Sequence, residues 1–333
     1  MGIDLCELFE TIVLPLESPE EQNMSAVVIP GAETHRLAKD SSGFPCILLR
    51  QSSFIVPMMP IRLQNLLVSY GVHCVISHTD GQKEEGNFTI IKCISADLSL
   101  YPHFLRILSP IVTMLGTTPS SATVRKAITS LVDLFQSLTS PSKKTVQGLW
   151  AELLVIKLAT NPIELVAAWH SHPFEPIDFV DTHYRIEVKS SSNRSRIHNF
   201  SQVQLTPPLN TQLIITSLFV ESVAGGLSLR RLYDDVRLVL ASDYIRLIQF
   251  DTIFYATLGA NWQDAMEECF DFELATESIK FFDSMLVPKI DCEIPVAVSD
   301  IRFTSDMSGI PSLSLDTLLS FGGLFASIVP TTP

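Results

Sequence analysis

The sequence predicts an α/β protein, α+β overall, whose mixed central sheet is flanked by helices and preceded by an N-terminal α+β accessory domain. Short apolar runs between residues 26 and 100 are separated by Pro, Gly, Asn and Asp, which is typical of strands and turns. From residue 102 to 138 the apolar spacing lengthens to three and four, the helical period. A chain of 333 residues is long enough for about two domains. We therefore place one domain at residues 1–140 and another at residues 141–333.

The first domain is predicted to be β-rich and to end in helices. Its runs AVVIP, PCILLR and NFTIIKCI indicate a small sheet. Two helices follow, because apolar residues recur at helical spacing first around Phe104 and then around Leu131. The polar segment TSPSKK, Thr139–Lys144, is interpreted as a linker and helix start, since Ser and Thr cap the free amides of a first turn.

The second domain is predicted to begin with an amphipathic helix over Val146–Leu158, with Glu152 inside the apolar stretch. The run PIDFVDTHYRIEVKSSS then alternates and turns like a β-hairpin, and QLIITSLFVES has the pattern of a buried strand. SLRRLYDDVRLVL and ASDYIRLIQFDTIFYATLG have the pattern of helices. The last hundred residues indicate further strands and one more helix.

The composition excludes several classes of protein. Hydrophobic residues make up 46% and charged residues 18%, which excludes disorder throughout. The net charge of −13 repels polyanions at long range and argues against a general nucleic-acid coat protein. Residues 141–210, with 7 basic and 6 acidic side chains, are not acidic by themselves. The chain has neither a G-x-x-x-x-G-K-[ST] nor a G-x-S-x-G motif, which disfavours a nucleotide-driven motor and an α/β-hydrolase.

The cysteines and the N-terminal segment predict a cytoplasmic location. The 6 cysteines occur singly, without zinc spacing, and indicate reduced thiols. The N-terminus lacks the basic start and small-residue cleavage site of a secretory signal. The longest apolar stretches are shorter than the ~20 residues that cross a bilayer, so we expect no membrane partner.

Three charged residues of the predicted hairpin, with Glu152 before them, form the pattern that indicates chemistry. Side chains alternate along a strand, so Glu187 and Lys189 share one face about 7 Å apart. The turn would return Asp178 beside Glu187, where two carboxylates can share a hard divalent cation such as Mg²⁺. A buried Glu152 needs a partner and could complete the cluster. Phosphodiester hydrolysis needs such groups, because water must lose a proton while negative charge accumulates on the phosphate.

This order of residues resembles the PD-(D/E)XK nuclease superfamily, in which a helix glutamate precedes a hairpin bearing Asp and Glu-x-Lys. The segments GLWAELLVIKLA, EVKSSS and RIHNFSQVQL are similar to an uncharacterised bacterial branch whose members tend to be encoded beside phage-defence genes. The resemblance is strongest over residues 148–205. It departs from the family pattern where Ile177, not Pro176, directly precedes Asp178, and where Trp150 and Ala151 stand ahead of Glu152 in place of a small Gly.

The resemblance implies a restriction-endonuclease-like core and a role for each matched residue. Asp178, Glu187 and the carbonyl of Val188 would hold Mg²⁺ or Mn²⁺. Lys189 would be the catalytic lysine and Glu152 an accessory acid. Two further residues, His198 and Gln204, match polar positions that the branch uses near the phosphate.

Other polar residues allow two interpretations each. A Glu-x-Lys pair alone is more often a solvated strand face, and only its combination with Glu152 and the hairpin favours a site. Arg194, Arg196 and His198 could contact a phosphate backbone without reading sequence, or form an exposed polar loop. His170 and His172, in WHSHP, are expected to lie in a surface turn and not to bind metal.

The predicted function is a Mg²⁺- or Mn²⁺-dependent DNA endonuclease that acts in bacterial restriction or phage defence. The alternative is a catalytically idle nuclease-fold scaffold, or an interaction subunit of a multi-protein defence complex. The predicted partners are DNA and other subunits of a defence system, and a homo-oligomer is allowed. Because the chain has few cations for phosphate contacts, capture of DNA is expected to be local or to be supplied by another subunit.

Overall fold

The computed structural model describes residues 4–15, 23–50, 58–78, 82–142, 144–170, 176–292 and 295–331. Its contacts divide into two units. The first runs up to Ser140 and includes Ala241–Ala256, and the second combines Pro141–Leu240 with the chain from Thr257 onward. The sequence analysis assigned residues 241–256 to the second domain, whereas their contacts belong to the first unit. None of the described helices is long and apolar enough to cross a membrane.

The first unit contains a β-sheet and helices, as the sequence predicts. Its elements before residue 141 are α1 Leu5–Glu10, β1 Asn23–Ile29, β2 Ala32–Asp40, β3 Pro45–Arg50, β4 Ile61–Arg62, β5 Leu66–His78, β6 Lys83–Cys93, α2 Leu100–Leu115 and α3 Ser121–Ser137. The strand order is β1-β2-β3-β6-β5-β4, and β1 also pairs with β5 in parallel. Five strands therefore form a closed ring around buried residues such as Ala26, Leu48 and Phe88.

The elements after residue 141 include the predicted hairpin, and all but α7 lie wholly in the second unit. These are α4 Val146–Leu158, α5 Pro162–Ala168, β7 Phe179–Val180, β8 Tyr184–Ser191, β9 Ile197–Ser201, β10 Gln212–Phe219, β11 Ser222–Ser228, α6 Leu229–Val239, α7 Tyr244–Leu258, α8 Trp262–Met266, β12 Cys269–Phe270, α9 Phe272–Glu277, β13 Lys280–Asp283, β14 Arg302–Asp306, α10 Leu315–Phe321 and α11 Gly323–Ser327. Most of α7 lies in the segment that belongs to the first unit.

A mixed four-stranded sheet, in the order β13-β10-β8-β7, forms the centre of the second unit. β8 pairs in parallel with β10 and antiparallel with β7, while β13 is antiparallel to β10. Phe179 lies opposite Ile186 and Val180 opposite Arg185. This register makes residues 181–183 the turn and brings Asp178, just before β7, back toward Glu187.

Two details of the second unit differ from the sequence predictions. The helix α4 was predicted to be amphipathic, but its residues from Leu149 to Ile156 are all buried. The described C-terminal region after α7 contains four short helices, α8, α9, α10 and α11, in place of one. Its strand β14 pairs with β9, far earlier in the chain, and this long-range pairing leaves no local signal.

Candidate metal centre

Three acidic side chains of the second unit are buried near one another. Glu152, in the middle of α4, is 2% exposed, and Asp178 and Glu187 are each 3% exposed. Lys189 follows two residues after Glu187 on β8, and its ammonium lies 2.8 Å from Glu187 Oε1. Because a buried carboxylate needs a cation or hydrogen-bond donors, the partners of these acids determine what the centre can bind.

Lys144 lies between two of the acids. Its Nζ donates to Glu152 Oε1 at 2.6 Å and to Asp178 Oδ1. The segment carrying it leads directly into α4, whose first turn is capped by Thr145, with the Gly148 amide donating to the threonine hydroxyl. The cap fixes where α4 begins. Lys144 directly precedes the cap, and its side chain reaches Glu152.

His170 also lies beside Glu152 and Lys144. Its Nε2 lies 3.0 Å from Glu152 Oε2 and 3.3 Å from Lys144 Nζ. The backbone holds it there, since the His170 amide donates to the Asp178 carbonyl at 2.9 Å and the residue has a positive φ of 42°. Ligand atoms of Glu152, His170 and Asp178 all lie within 4.8 Å of one another.

Both remaining carboxylate oxygens of this group accept hydrogen bonds. Trp169 Nε1 donates to Glu152 Oε2 at 2.8 Å, and the Val188 amide donates to Asp178 Oδ2 at 2.8 Å. The second bond connects β8 to the residue before β7, so the hairpin register fixes the orientation of Asp178. The coordinating role of the Val188 carbonyl stays a prediction.

Glu187 is held by a different set of partners. Gln204 Nε2 donates to Glu187 Oε1 at 2.5 Å, and Gln204 Oε1 accepts from Lys189 Nζ at 3.3 Å and from the Ser201 amide at 3.0 Å. Glu187 Oε2 is buried and has no hydrogen-bond partner within the described part of the chain. It is a hard oxygen acceptor with nothing bound to it, which fits a divalent cation.

The electrostatics separate the three acids. Burial, reinforced by Asp178, raises the pKa of Glu187 to about 8, although Lys189 opposes the shift. Burial and the neighbouring Glu152 raise the pKa of Asp178. Burial also acts to raise the pKa of Glu152, but Lys144 and His170 outweigh it and hold this pKa at about 2. The raised pKa of Glu187 means that its negative charge is the least well compensated of the three.

The structure divides the predicted phosphate contacts into two groups. Gln204 lies at the acidic cluster, while Arg194 is exposed and forms an ion pair with Glu221 at 2.5 Å. Arg196 and His198 are buried, and both contact Ser217 of β10. Those two contacts hold β9 beside β10. A contact of Arg194, Arg196 or His198 with DNA stays a prediction, and the buried positions of the latter two give it no support.

Sequence reasoning missed Lys144 and His170. Lys144 was interpreted as part of a linker and His170 as a residue of a surface turn, yet both contact Glu152. One signal for Lys144 was available: a glutamate inside an apolar stretch of helix requires a nearby partner, and lysines stand just before that helix. His172 lies outside the described residues.

A comparison with protein families found a match over most of the chain. The model of the family DUF4420, described as "Putative PD-(D/E)XK family member", matches residues 10–308. Comparisons with curated proteins and with solved structures found no match. The matched range includes all four predicted catalytic residues, and PD-(D/E)XK folds generally use divalent metals, as the acidic and histidine cluster would allow. The predicted resemblance and the mixed α+β fold are thus confirmed, and the chain belongs to the PD-(D/E)XK family DUF4420.

Proposed function

We propose that this protein is a metal-dependent DNA endonuclease that hydrolyses phosphodiester bonds and acts in bacterial restriction or phage defence. The observation that carries the proposal is the meeting of Asp178 and Glu187 across a hairpin, with Lys189 beside them and Glu152 reaching the same cluster from α4. The helix α4 and the hairpin together supply the acids and the ammonium that this hydrolysis needs.

Asp178 and Glu187 would hold a divalent cation such as Mg²⁺ or Mn²⁺. When bound, such an ion would polarise the phosphate and favour deprotonation of the attacking water. Lys189 would orient that water and stabilise negative charge on the phosphate, a role supported by its partly exposed ammonium beside Glu187. Gln204 fixes the positions of both side chains through its two hydrogen bonds.

The charge of the chain restricts how DNA would reach this cluster. With a net charge of −13, the whole molecule repels DNA at long range. We therefore include in the proposal another subunit of a defence system that captures the DNA. The link to phage defence itself rests on the sequence resemblance.

Plasmid cleavage tests the proposal. The purified chain incubated with supercoiled plasmid and Mn²⁺ or Mg²⁺ should nick it, and Lys189→Ala should reduce the rate by about 100-fold or more, as expected for a lost catalytic group. Lys280→Ala, which removes an exposed lysine from β13, is the matched control and should cut like wild type. Equal rates for wild type and Lys189→Ala would contradict the assignment of this cluster.

The second candidate is an idle nuclease-fold scaffold that binds partners of a defence complex. One observation favours it, namely that the Lys144 ammonium already forms ion pairs with two of the carboxylates. A scaffold of this kind needs no metal, so it would show neither nicking nor binding of a divalent cation. Metal binding with Lys189-dependent cleavage would exclude it.

A further inference from the structure

We propose that Glu152, His170 and Asp178 form a site for a first-row transition-metal dication, and that the Lys144 ammonium competes internally for that site. The proposal deepens the proposed function by adding Glu152 and His170 as ligands beside Asp178, which the proposed function already gives to the metal, and by naming how the centre admits that metal. It rests on that function in taking this cluster as the metal centre. Neither histidine of WHSHP was expected to take part.

Lys144 occupies the position that a metal ion would take among the three groups. Its Nζ contacts Glu152 Oε1 and Asp178 Oδ1 and lies 3.3 Å from His170 Nε2. A positive charge therefore already occupies the space that the three groups surround. The Lys144 side chain is 31% exposed and precedes the capped start of α4, so the ammonium can move toward solvent without unpacking the helix.

The imidazole of His170 favours a transition-metal ion over Mg²⁺. Mg²⁺ prefers oxygen ligands in octahedral geometry, whereas first-row transition ions also accept imidazole nitrogen. His170 Nε2 faces Glu152 at 3.0 Å because the backbone of residues 169 and 170 pairs with the segment around Asp178. The histidine is thus presented by the same pairing that sets the acid, and it makes the site better suited to Mn²⁺ than to Mg²⁺.

Competition between the Lys144 ammonium and the metal lowers the apparent affinity for the metal. The apparent dissociation constant equals the intrinsic one divided by the fraction of molecules in which Lys144 has left. Minor states are commonly populated at about 0.1–10%, so removing the lysine should tighten metal binding by about 10- to 1,000-fold.

Mn²⁺ titration of the full chain, followed by electron paramagnetic resonance, tests the role of Lys144. Lys144→Met should bind Mn²⁺ at least about 10-fold more tightly than wild type. Lys157→Met is the matched control, because Lys157 lies on α4 and pairs with Asp235 instead of the cluster. It should leave Mn²⁺ affinity unchanged. Equal affinities for wild type and Lys144→Met would overturn the competition.

Electron spin-echo modulation from nitrogen-14 tests the role of His170. The Mn²⁺ complex of Lys144→Met should show histidine nitrogen coupling, which His170→Ala in the same background should abolish. Absence of that coupling in the parent would overturn the site. Should Lys144→Met fail to fold by circular dichroism, wild type against His170→Ala at saturating Mn²⁺ decides the same question. Nitrogen coupling without plasmid cleavage would contradict the nuclease proposal alone, whereas cleavage without the coupling would contradict only this inference.

Discussion

The three buried acids differ in how fully each charge is balanced. Glu152 accepts hydrogen bonds from Lys144 and Trp169, and its pKa is held at about 2 despite burial. Glu187 has Lys189 and Gln204 at one oxygen and no described partner at the other, and its pKa is raised to about 8. Glu187 is therefore the acid whose charge the described protein groups balance least.

Asp178 provides the most direct test of metal binding at the level of one residue. Asp178→Asn removes one formal charge while keeping the shape, and the amide oxygen can still accept the Val188 hydrogen bond. Isothermal calorimetry with Ca²⁺ or Mg²⁺ should show heat of binding for wild type and none for the variant, because a charged oxygen ligand is lost.

The matched control lies three residues further along the hairpin. Asp181 caps the turn by accepting from the amides of His183 and Tyr184, away from the cluster. Asp181→Asn should therefore bind the cation like wild type. Binding that persists in Asp178→Asn would place the metal elsewhere in the protein.

At the scale of elements, α4 carries both the packing of the second unit and one of its acids. An amphipathic helix packs against the core on one face only. In α4, by contrast, residues Leu149–Ile156 are all buried. The Trp150 indole donates to the Leu227 carbonyl at 3.0 Å, which ties α4 to the end of β11. The position of Glu152 thus depends on core packing on every side of the helix.

A truncation in α4 measures that dependence. Leu153 is 0% exposed, so Leu153→Ala should lower the free energy of unfolding by about 2–5 kcal/mol through lost burial and a cavity. Leu238, on α6 of the same unit, is 77% exposed, and Leu238→Ala should change it by less than about 0.5 kcal/mol. Urea denaturation monitored by circular dichroism gives both values, and similar losses for the two variants would contradict the described burial of α4.

At the scale of the whole molecule, the sequence predicts structure where the interacting residues are close together along the chain. The hairpin and α4 could be predicted because alternation and helical spacing are properties of neighbouring residues. The pairing of β9 with β14 could not, since about a hundred residues separate the strands. The contacts of segment 241–256 with the first unit likewise depend on long-range packing. His170 likewise joins the site through a contact with Glu152 that no motif records, whereas the Lys144 contact spans only 8 residues.

In each unit a buried histidine with a lowered pKa makes stability depend on pH. Burial lowers the pKa of His35 in the first unit to about 4, and burial, with Lys189 and Arg196 nearby, lowers that of His198 in the second to about 4. Both values lie below the ~6.5 of an unfolded chain, so the folded state favours the neutral imidazole. The resulting stability is fully present above pH 6.5 and is lost as pH falls toward 4.

The difference between wild type and His198→Gln isolates this effect from the titration of carboxylates. The glutamine amide can keep a hydrogen bond with Ser217 but does not titrate. Between pH 7 and pH 4.5, wild type should lose about 2 kcal/mol more unfolding free energy than the variant, because only wild type takes up the proton on unfolding. Urea denaturation at the two pH values measures this, and the exposed His73→Gln serves as the control that should behave like wild type. An equal loss in wild type and His198→Gln would show that the His198 imidazole is not kept neutral by its burial against β10.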